Sequence, residues 1–236
     1  MKGTLYLIPT TLGKTPENNT LPEYTLSILR KLDSLVVENI RTSVKFLQWV
    51  GDTIPDYKID FYQLNKNTPE HEVFSFLKPL KAGKNVGVLS EAGAPAVADP
   101  GAKLVKMAHQ NGIKVVPLVG PSSILLALMA AGFNGQEFAF HGYLPIDQKK
   151  RKGMINQLDG ESRRHDRTQI FMEAPYRNNE LLKDVISTCP AETWVCVAVD
   201  ITLPDEQIIS KQVSDWKSSP LPNLHKRPAI FLIYGR

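Results

Sequence analysis

Val86-Gly87-Val88-Leu89-Ser90-Glu91-Ala92-Gly93-Ala94-Pro95-Ala96-Val97-Ala98-Asp99-Pro100-Gly101 is the stretch that decides the fold. Its first four residues read as a buried strand. Asp99-Pro100 then opens a helix that Gly112 ends, and Ile113 to Val116 reads as the next strand. Strand, helix, strand is the repeating unit of a parallel sheet covered on both faces. Between strand and helix, apart from Glu91 and Asp99, no side chain exceeds proline or valine in size. Small residues let a flat ligand lie against the backbone and take its hydrogen bonds from main-chain groups. The alternative is a tight turn in which Asp99 caps the helix and Pro100 takes its first position.

The same alternation continues outward. Leu5 to Ile8 is a buried strand, and Thr20-Leu21-Pro22-Glu23 has the form of a capping box before a helix through Tyr24, Ile28, Leu29 and Leu32. Leu35 to Val37 is a strand, Val44 to Val50 a short helix, and Lys58 to Leu64 a strand. Thr68-Pro69 opens a helix through Val73, Leu77 and Leu80 that stops near Gly83. Ligands of such sheets bind beyond the carboxyl ends of the strands. Besides the small-residue loop, Pro9-Thr10-Thr11-Leu12-Gly13 and Glu38-Asn39-Ile40-Arg41 stand at such ends.

Pro117-Leu118-Val119-Gly120-Pro121 breaks the pattern and marks the expected junction between two α/β domains, 1–117 and 118–236. After it come a helix from Ser122 to Ala131, closed by Gly132, and strands at Glu137–Tyr143, Thr168–Met172, Trp194–Val199, Glu206–Val213 and Ala229–Tyr234. Strands that follow one another without helices predict a mixed sheet here, against a parallel sheet in the first domain.

Composition narrows the function. Apolar residues make up 42% of the 236, enough for a real core, and the net charge of +4 is compatible with a nucleic-acid partner without requiring one. Two cysteines give neither a disulfide framework nor a zinc pattern, and His71, His109, His141, His165 and His225 lack ligand spacing, so no metal is expected. The chain start lacks a secretory core, and no apolar run approaches the roughly 20 residues of a membrane span, so the expectation is a cytoplasmic protein without membrane contact. The G-x-G-x-x-G, P-loop and G-x-S-x-G fingerprints are absent. Lys149-Lys150-Arg151-Lys152 and Arg163-Arg164-His165 with Arg167 form a basic run suited to phosphate, or else a solvated helix face. All four of the first group are expected at the surface, because an unpaired buried cation is costly.

Gly3-Thr4-Leu5-Tyr6-Leu7-Ile8, Val37-Glu38-Asn39-Ile40-Arg41-Thr42, the Ser90–Gly101 segment, Val116-Pro117-Leu118-Val119-Gly120-Pro121-Ser122-Ser123, Phe140-His141-Gly142-Tyr143-Leu144-Pro145 and Phe171-Met172-Glu173-Ala174-Pro175-Tyr176-Arg177 stand in an order that resembles the tetrapyrrole (corrin/porphyrin) methylase superfamily. Within it the chain is most similar to the bacterial 16S ribosomal RNA (cytidine-2′-O)-methyltransferases. The resemblance implies two α/β domains with S-adenosyl-L-methionine in the cleft between them, and usually a homodimer. It also implies ribosomal RNA or the small ribosomal subunit as substrate. The implied cofactor contacts are Leu12, Gly93, Ala94, Val97, Ser122, Ser123, Met172, Pro228 and Ala229. The family's Ala-Glu-Asp-Thr-Arg is here Val37-Glu38-Asn39-Ile40-Arg41, its Ser-Asp-Ala-Gly-Thr-Pro is Ser90-Glu91-Ala92-Gly93-Ala94-Pro95, and Arg227-Pro228 replaces a Gly-Glu pair.

A ribose hydroxyl is a weak nucleophile and gains from a proton acceptor. Glu38 and Glu173 each follow a strand, with Arg41 and Arg177 a few residues on. They are the candidates for base and phosphate-holding groups, with two structural ion pairs as the alternative. Methylation of a tetrapyrrole precursor is the competing activity, disfavoured by the Pro9–Gly13 loop. A catalytically silent cofactor-binding protein is the reading suggested by Asn39 and Ala94.

Overall fold

The computed structural model describes residues 1–14, 20–50 and 59–235, so the expected strand start at Lys58 lies outside the described residues. The chain divides into two compact units, Met1–Ser122 and Ser123–Arg236. Leu118 packs in the core of the first unit.

In the first unit, β1 (Thr4–Ile8), β2 (Ser34–Val37), β3 (Asp60–Gln63), β4 (Val86–Leu89) and β5 (Lys114–Pro117) form a sheet in the order β3-β2-β4-β1-β5. Every pairing is parallel. β2 and β4 are buried along their whole length, as continuous apolar runs in a sheet covered on both faces must be. The covering helices are α1 (Glu23–Leu29), α2 (Ile40–Trp49), α3 (Glu70–Ser75), α4 (Leu77–Lys81) and α5 (Gly101–Gln110). Two apolar clusters result, one around Leu5, Val88 and Leu104 and the other around Ile8, Leu35 and Leu89.

The expected capping box does not form. Pro22, extended at φ −61° and ψ 144°, is the N-cap of α1 without a side-chain bond. The Thr20 hydroxyl is buried with no partner among the described residues. The expected helix after Thr68-Pro69 is broken at Phe76 into α3 and α4.

In the second unit, β6 (Phe138–Tyr143), β7 (Thr168–Met172), β8 (Trp194–Val199), β9 (Gln207–Gln212) and β10 (Ala229–Tyr234) run in the order β6-β7-β10-β8-β9. β6 and β7 are parallel and the other pairings antiparallel, so the sheet is mixed. The reason expected for this was incorrect, because helices do intervene. α6 (Ser123–Ala131) precedes β6, α7 (Gln148–His165) lies between β6 and β7, α8 (Asn178–Thr188) between β7 and β8, and α9 (Val213–Ser218) follows β9.

The basic run lies on α7, and its expected exposure is corrected at Arg151. That residue is 3% exposed, and its Nη2 and Nε lie 2.6 and 2.8 Å from Oδ2 of Asp184, itself 2% exposed. Gln148 Nε2 donates to the other Asp184 oxygen at 2.9 Å, and Arg151 Nη1 donates to the Ile146 carbonyl at 2.8 Å. A buried cation is tolerated when paired and hydrogen-bonded in this way. Lys149, Lys150 and Arg164 remain exposed, whereas Arg163 is paired with Asp159 and Glu192, and Arg167 with Glu137.

Candidate active site

Three segments converge at the carboxyl end of β1. Thr10 and Gly93 form a bridge, Thr10 N–H donating to the Gly93 carbonyl at 3.0 Å and Gly93 N–H returning to Thr10 at 3.2 Å. Thr10 Oγ1 lies 3.2 Å from the Ser90 carbonyl, and the Ser90 hydroxyl donates to the Gly93 carbonyl. The Pro9–Gly13 loop is thereby stitched to the small-residue loop. The third segment is the turn after β5. Gly120 sits against Pro9, and a Cβ there would fall 2.4 Å from the proline Cβ. Thr25 Oγ1 holds the same turn through the Val119 carbonyl at 2.7 Å.

Gly93 stands at the meeting point. Its φ is +72°, and a Cβ would meet Leu12 Cδ2 at 3.1 Å, the Pro121 carbonyl at 3.3 Å and Ser122 Cα at 3.9 Å. Leu12, Gly93 and Ser122 are thus brought together by the first unit alone. Ala94 is half-buried and Val97 exposed, farther along the same loop. Ala96 and Ala98 have φ of +66° and +60°, each costing roughly 1–2 kcal/mol for a residue with a Cβ. Such strain clusters where a loop serves a ligand. Asp99 Oδ1 braces the bend, accepting from Ala96 N at 2.8 Å and Gly101 N at 2.7 Å. It therefore caps α5 partly as expected, although Pro100 occupies the N-cap position.

The two glutamates have different surroundings. Glu38 is half-buried, and Arg41 is exposed with no ion pair to it among the described residues. Burial raises the Glu38 pKa above the ordinary carboxylate value, and the negative charges of Glu91 and Asp99 raise it further. Burial also raises Asp99, against hydrogen bonds from Gly101 and Ala96 that lower it. Asn39, where the resemblance led one to expect a carboxylate, N-caps α2 by accepting from Arg41 N at 2.9 Å. Asparagine and aspartate are equivalent in that role.

Glu173 is instead locked. It is 4% exposed, and its Oε1 accepts from Ala174 N at 2.7 Å and forms an ion pair with Arg177 Nη2 at 2.5 Å. Glu173 Oε2, Arg177 Nε and the Asn178 Oδ1 are buried without hydrogen-bond partners among the described residues. Of the two ion pairs considered from sequence, the second is present and the first is not. The sequence reading did not single out Asn178, whose Nδ2 donates to the Arg227 carbonyl at 2.6 Å and ties this turn to Pro228. Met172 is half-buried at the end of β7, opposite Ile230, and Ala229 is buried opposite Val199. Ser123 is the first residue of α6. No group of three or more metal-ligating side chains occurs among the described residues.

A parallel sheet with a strained small-residue loop at a strand end, followed by a mixed-sheet unit, makes this an α/β protein with its candidate site at the strand ends. The model of the tetrapyrrole (corrin/porphyrin) methylases matches residues 20–216, and the chain belongs to that family. It is 30% identical over 239 residues to a ribosomal RNA small subunit methyltransferase I from Pasteurella multocida, covering 100% of this chain and 80% of that protein. A protein of the same name from Buchnera aphidicola (subspecies Acyrthosiphon pisum) is 31% identical over 212 residues, covering 90% and 71%. The crystal structure of the methyltransferase CobJ has the same fold, with a TM-score of 0.63 at 16% identity, covering 100% of this chain and 95% of that one.

Proposed function

We propose that the chain is an S-adenosyl-L-methionine-dependent methyltransferase that 2′-O-methylates a ribose of small-subunit ribosomal RNA. The observation that carries this reading is its similarity, over the whole of this chain and 80% of the relative, to a protein named ribosomal RNA small subunit methyltransferase I. The likeness to CobJ is one of fold.

The residues at the β1 end suit the cofactor. Gly93 lets the three loops meet in close contact, and its neighbours offer main-chain groups beside small side chains. Leu12, Gly93, Ala94, Val97 and Ser122 would hold it from the first unit, and Ser123, Met172, Pro228 and Ala229 are proposed as further contacts. When bound, it supplies an electrophilic methyl group.

The chain then has to orient the ribose and take up the hydroxyl proton. Glu38 fits the second task, since its raised pKa brings it closer to that of an effective base at neutral pH. Glu173 does not, because its Oε1 is already engaged by the Ala174 N–H and the Arg177 guanidinium. Arg177 is therefore assigned to holding substrate with Glu173 as its positioning partner, and Arg41, exposed at the start of α2, to RNA phosphate.

The proposal includes a cytoplasmic homodimer. Leu125 and Met129, both exposed and one turn apart on α6, are the apolar face that a second copy would cover. Among the described residues no helix is long and apolar enough to cross a membrane. Mass mapping of ribosomal RNA from a strain lacking this protein tests the activity. One ribose methyl group should disappear from the small-subunit RNA, and an unchanged methylation map contradicts the reading.

A further inference from the structure

A pocket of about 200 Å³ lies beside the carboxyl end of β1, wholly within the first unit. Thr10 and Leu12 line it from the β1 loop, and Lys45, Phe46 and Trp49 from α2, with Lys14 completing one side. Phe46 and Trp49 are half-buried, with ring centroids 6.4 Å apart and planes inclined by 40°. Both rings also pack against the apolar core, which fixes their positions. Lys14 and Lys45 are exposed and carry no ion pair among the described residues.

The volume is below the roughly 300–1,000 Å³ of pockets that take drug-sized ligands, which favours a single planar ring. Aromatic walls with a cationic side are the combination that binds an unstacked base together with its phosphate. The pocket also adjoins the proposed chemistry. Glu91, which lines it, accepts a hydrogen bond from Thr42 Oγ1 at 2.7 Å and is one of the charges that raise the Glu38 pKa.

We infer that this pocket holds one nucleotide of a single-stranded RNA substrate, its base against Phe46 and Trp49 and its phosphate on Lys14 and Lys45. The inference rests on the RNA methyltransferase reading and adds the place where that RNA is gripped.

The test is fluorescence anisotropy of a short labelled single-stranded oligoribonucleotide. The wild-type chain is compared with Phe46→Leu, Trp49→Leu and Lys45→Gln, and free cytidine 5′-monophosphate serves as competitor. The leucines keep apolar bulk against the core, and Lys45→Gln leaves the core untouched. Each ring replacement should weaken oligomer binding about tenfold, as loss of base stacking does. Lys45→Gln should lower the salt slope by about one. Competition by the free nucleotide far below the oligomer's own affinity identifies a polynucleotide strand as the ligand. Equal affinity of all variants for the oligomer, or no binding by the wild type, overturns the inference, as does a free nucleotide that binds as tightly as the strand. Methyl transfer by the wild type to small ribosomal subunits is measured in parallel. Transfer with unaffected variants removes the pocket and leaves the activity standing, whereas absence of transfer removes the activity reading itself.

Discussion

Thr10 and Gly93 exchange both of their backbone hydrogen bonds, at 3.0 and 3.2 Å, and so fasten the loop after β1 to the loop after β4. The pair holds Gly93 in a left-handed conformation against Leu12 and the Pro121 carbonyl. Gly93→Ala should therefore lower stability by about 1–2 kcal/mol through the positive φ. It should also weaken S-adenosyl-L-methionine binding about tenfold, because the added methyl pushes on Leu12 and the Pro121-Ser122 turn, which border the proposed cofactor site. Calorimetric titration beside thermal unfolding separates the two effects, and wild-type cofactor affinity in the variant would remove Gly93 from the site.

Glu38 links function to pH. Its pKa is raised in the folded state, so the protonated form is favoured by folding. The stability it contributes is present below the ordinary carboxylate value and is lost as pH rises through the raised one. Glu38→Gln should accordingly be more stable than wild type at pH 8 and no more stable below about pH 4. Its methyl transfer should fall about 100-fold, in the range typical for loss of a general base. Urea unfolding at both pH values checks the first statement and rate measurements the second. A variant with unchanged rate would exclude Glu38 as the proton acceptor.

Asp184 holds the buried Arg151 guanidinium. Asp184→Ala leaves that cation without its carboxylate and should cost about 3–5 kcal/mol, whereas Arg151→Met with Asp184→Leu should be far milder. Chemical denaturation of the three proteins measures this. Equal stabilities of wild type and Asp184→Ala would mean that the pair contributes nothing.

Cys189 and Cys196 are buried, and burial pushes both thiols up to about 12. Neither should react with a thiol reagent at pH 8 in the native protein, and both should react after unfolding in urea. Rapid modification of the native protein would contradict their placement.

The first unit was legible because its strands are uninterrupted apolar runs and its loops are marked by small residues, as at Val86–Leu89 and Gly93. α7 was not. Its buried positions are Arg151, Ile155, Leu158, Asp159 and Ser162, so the helical stripe is there but three of its five members are polar. The partner carboxylate of Asp184 on α8, distant in sequence, is what lets Arg151 be an interior residue. Glu38 and Glu173 looked alike as strand-end glutamates with a nearby arginine. Their difference depends on Glu91 and Asp99 around one and on the Arg177 ion pair of the other. Phe46 and Trp49 carried a readable signal, two aromatics three apart on a short helix, but the lysine from the β1 loop joins them only in the folded chain.

Incubation of the protein with small ribosomal subunits and S-adenosyl-L-methionine labelled in its methyl group tests the central claim most directly. The account predicts label in the small-subunit RNA at one nucleotide, on the ribose and resistant to alkaline cleavage of the adjacent linkage, and sharply reduced transfer by Glu38→Gln. Label on a base, or uptake by a porphyrinogen precursor with none in the RNA, would contradict it.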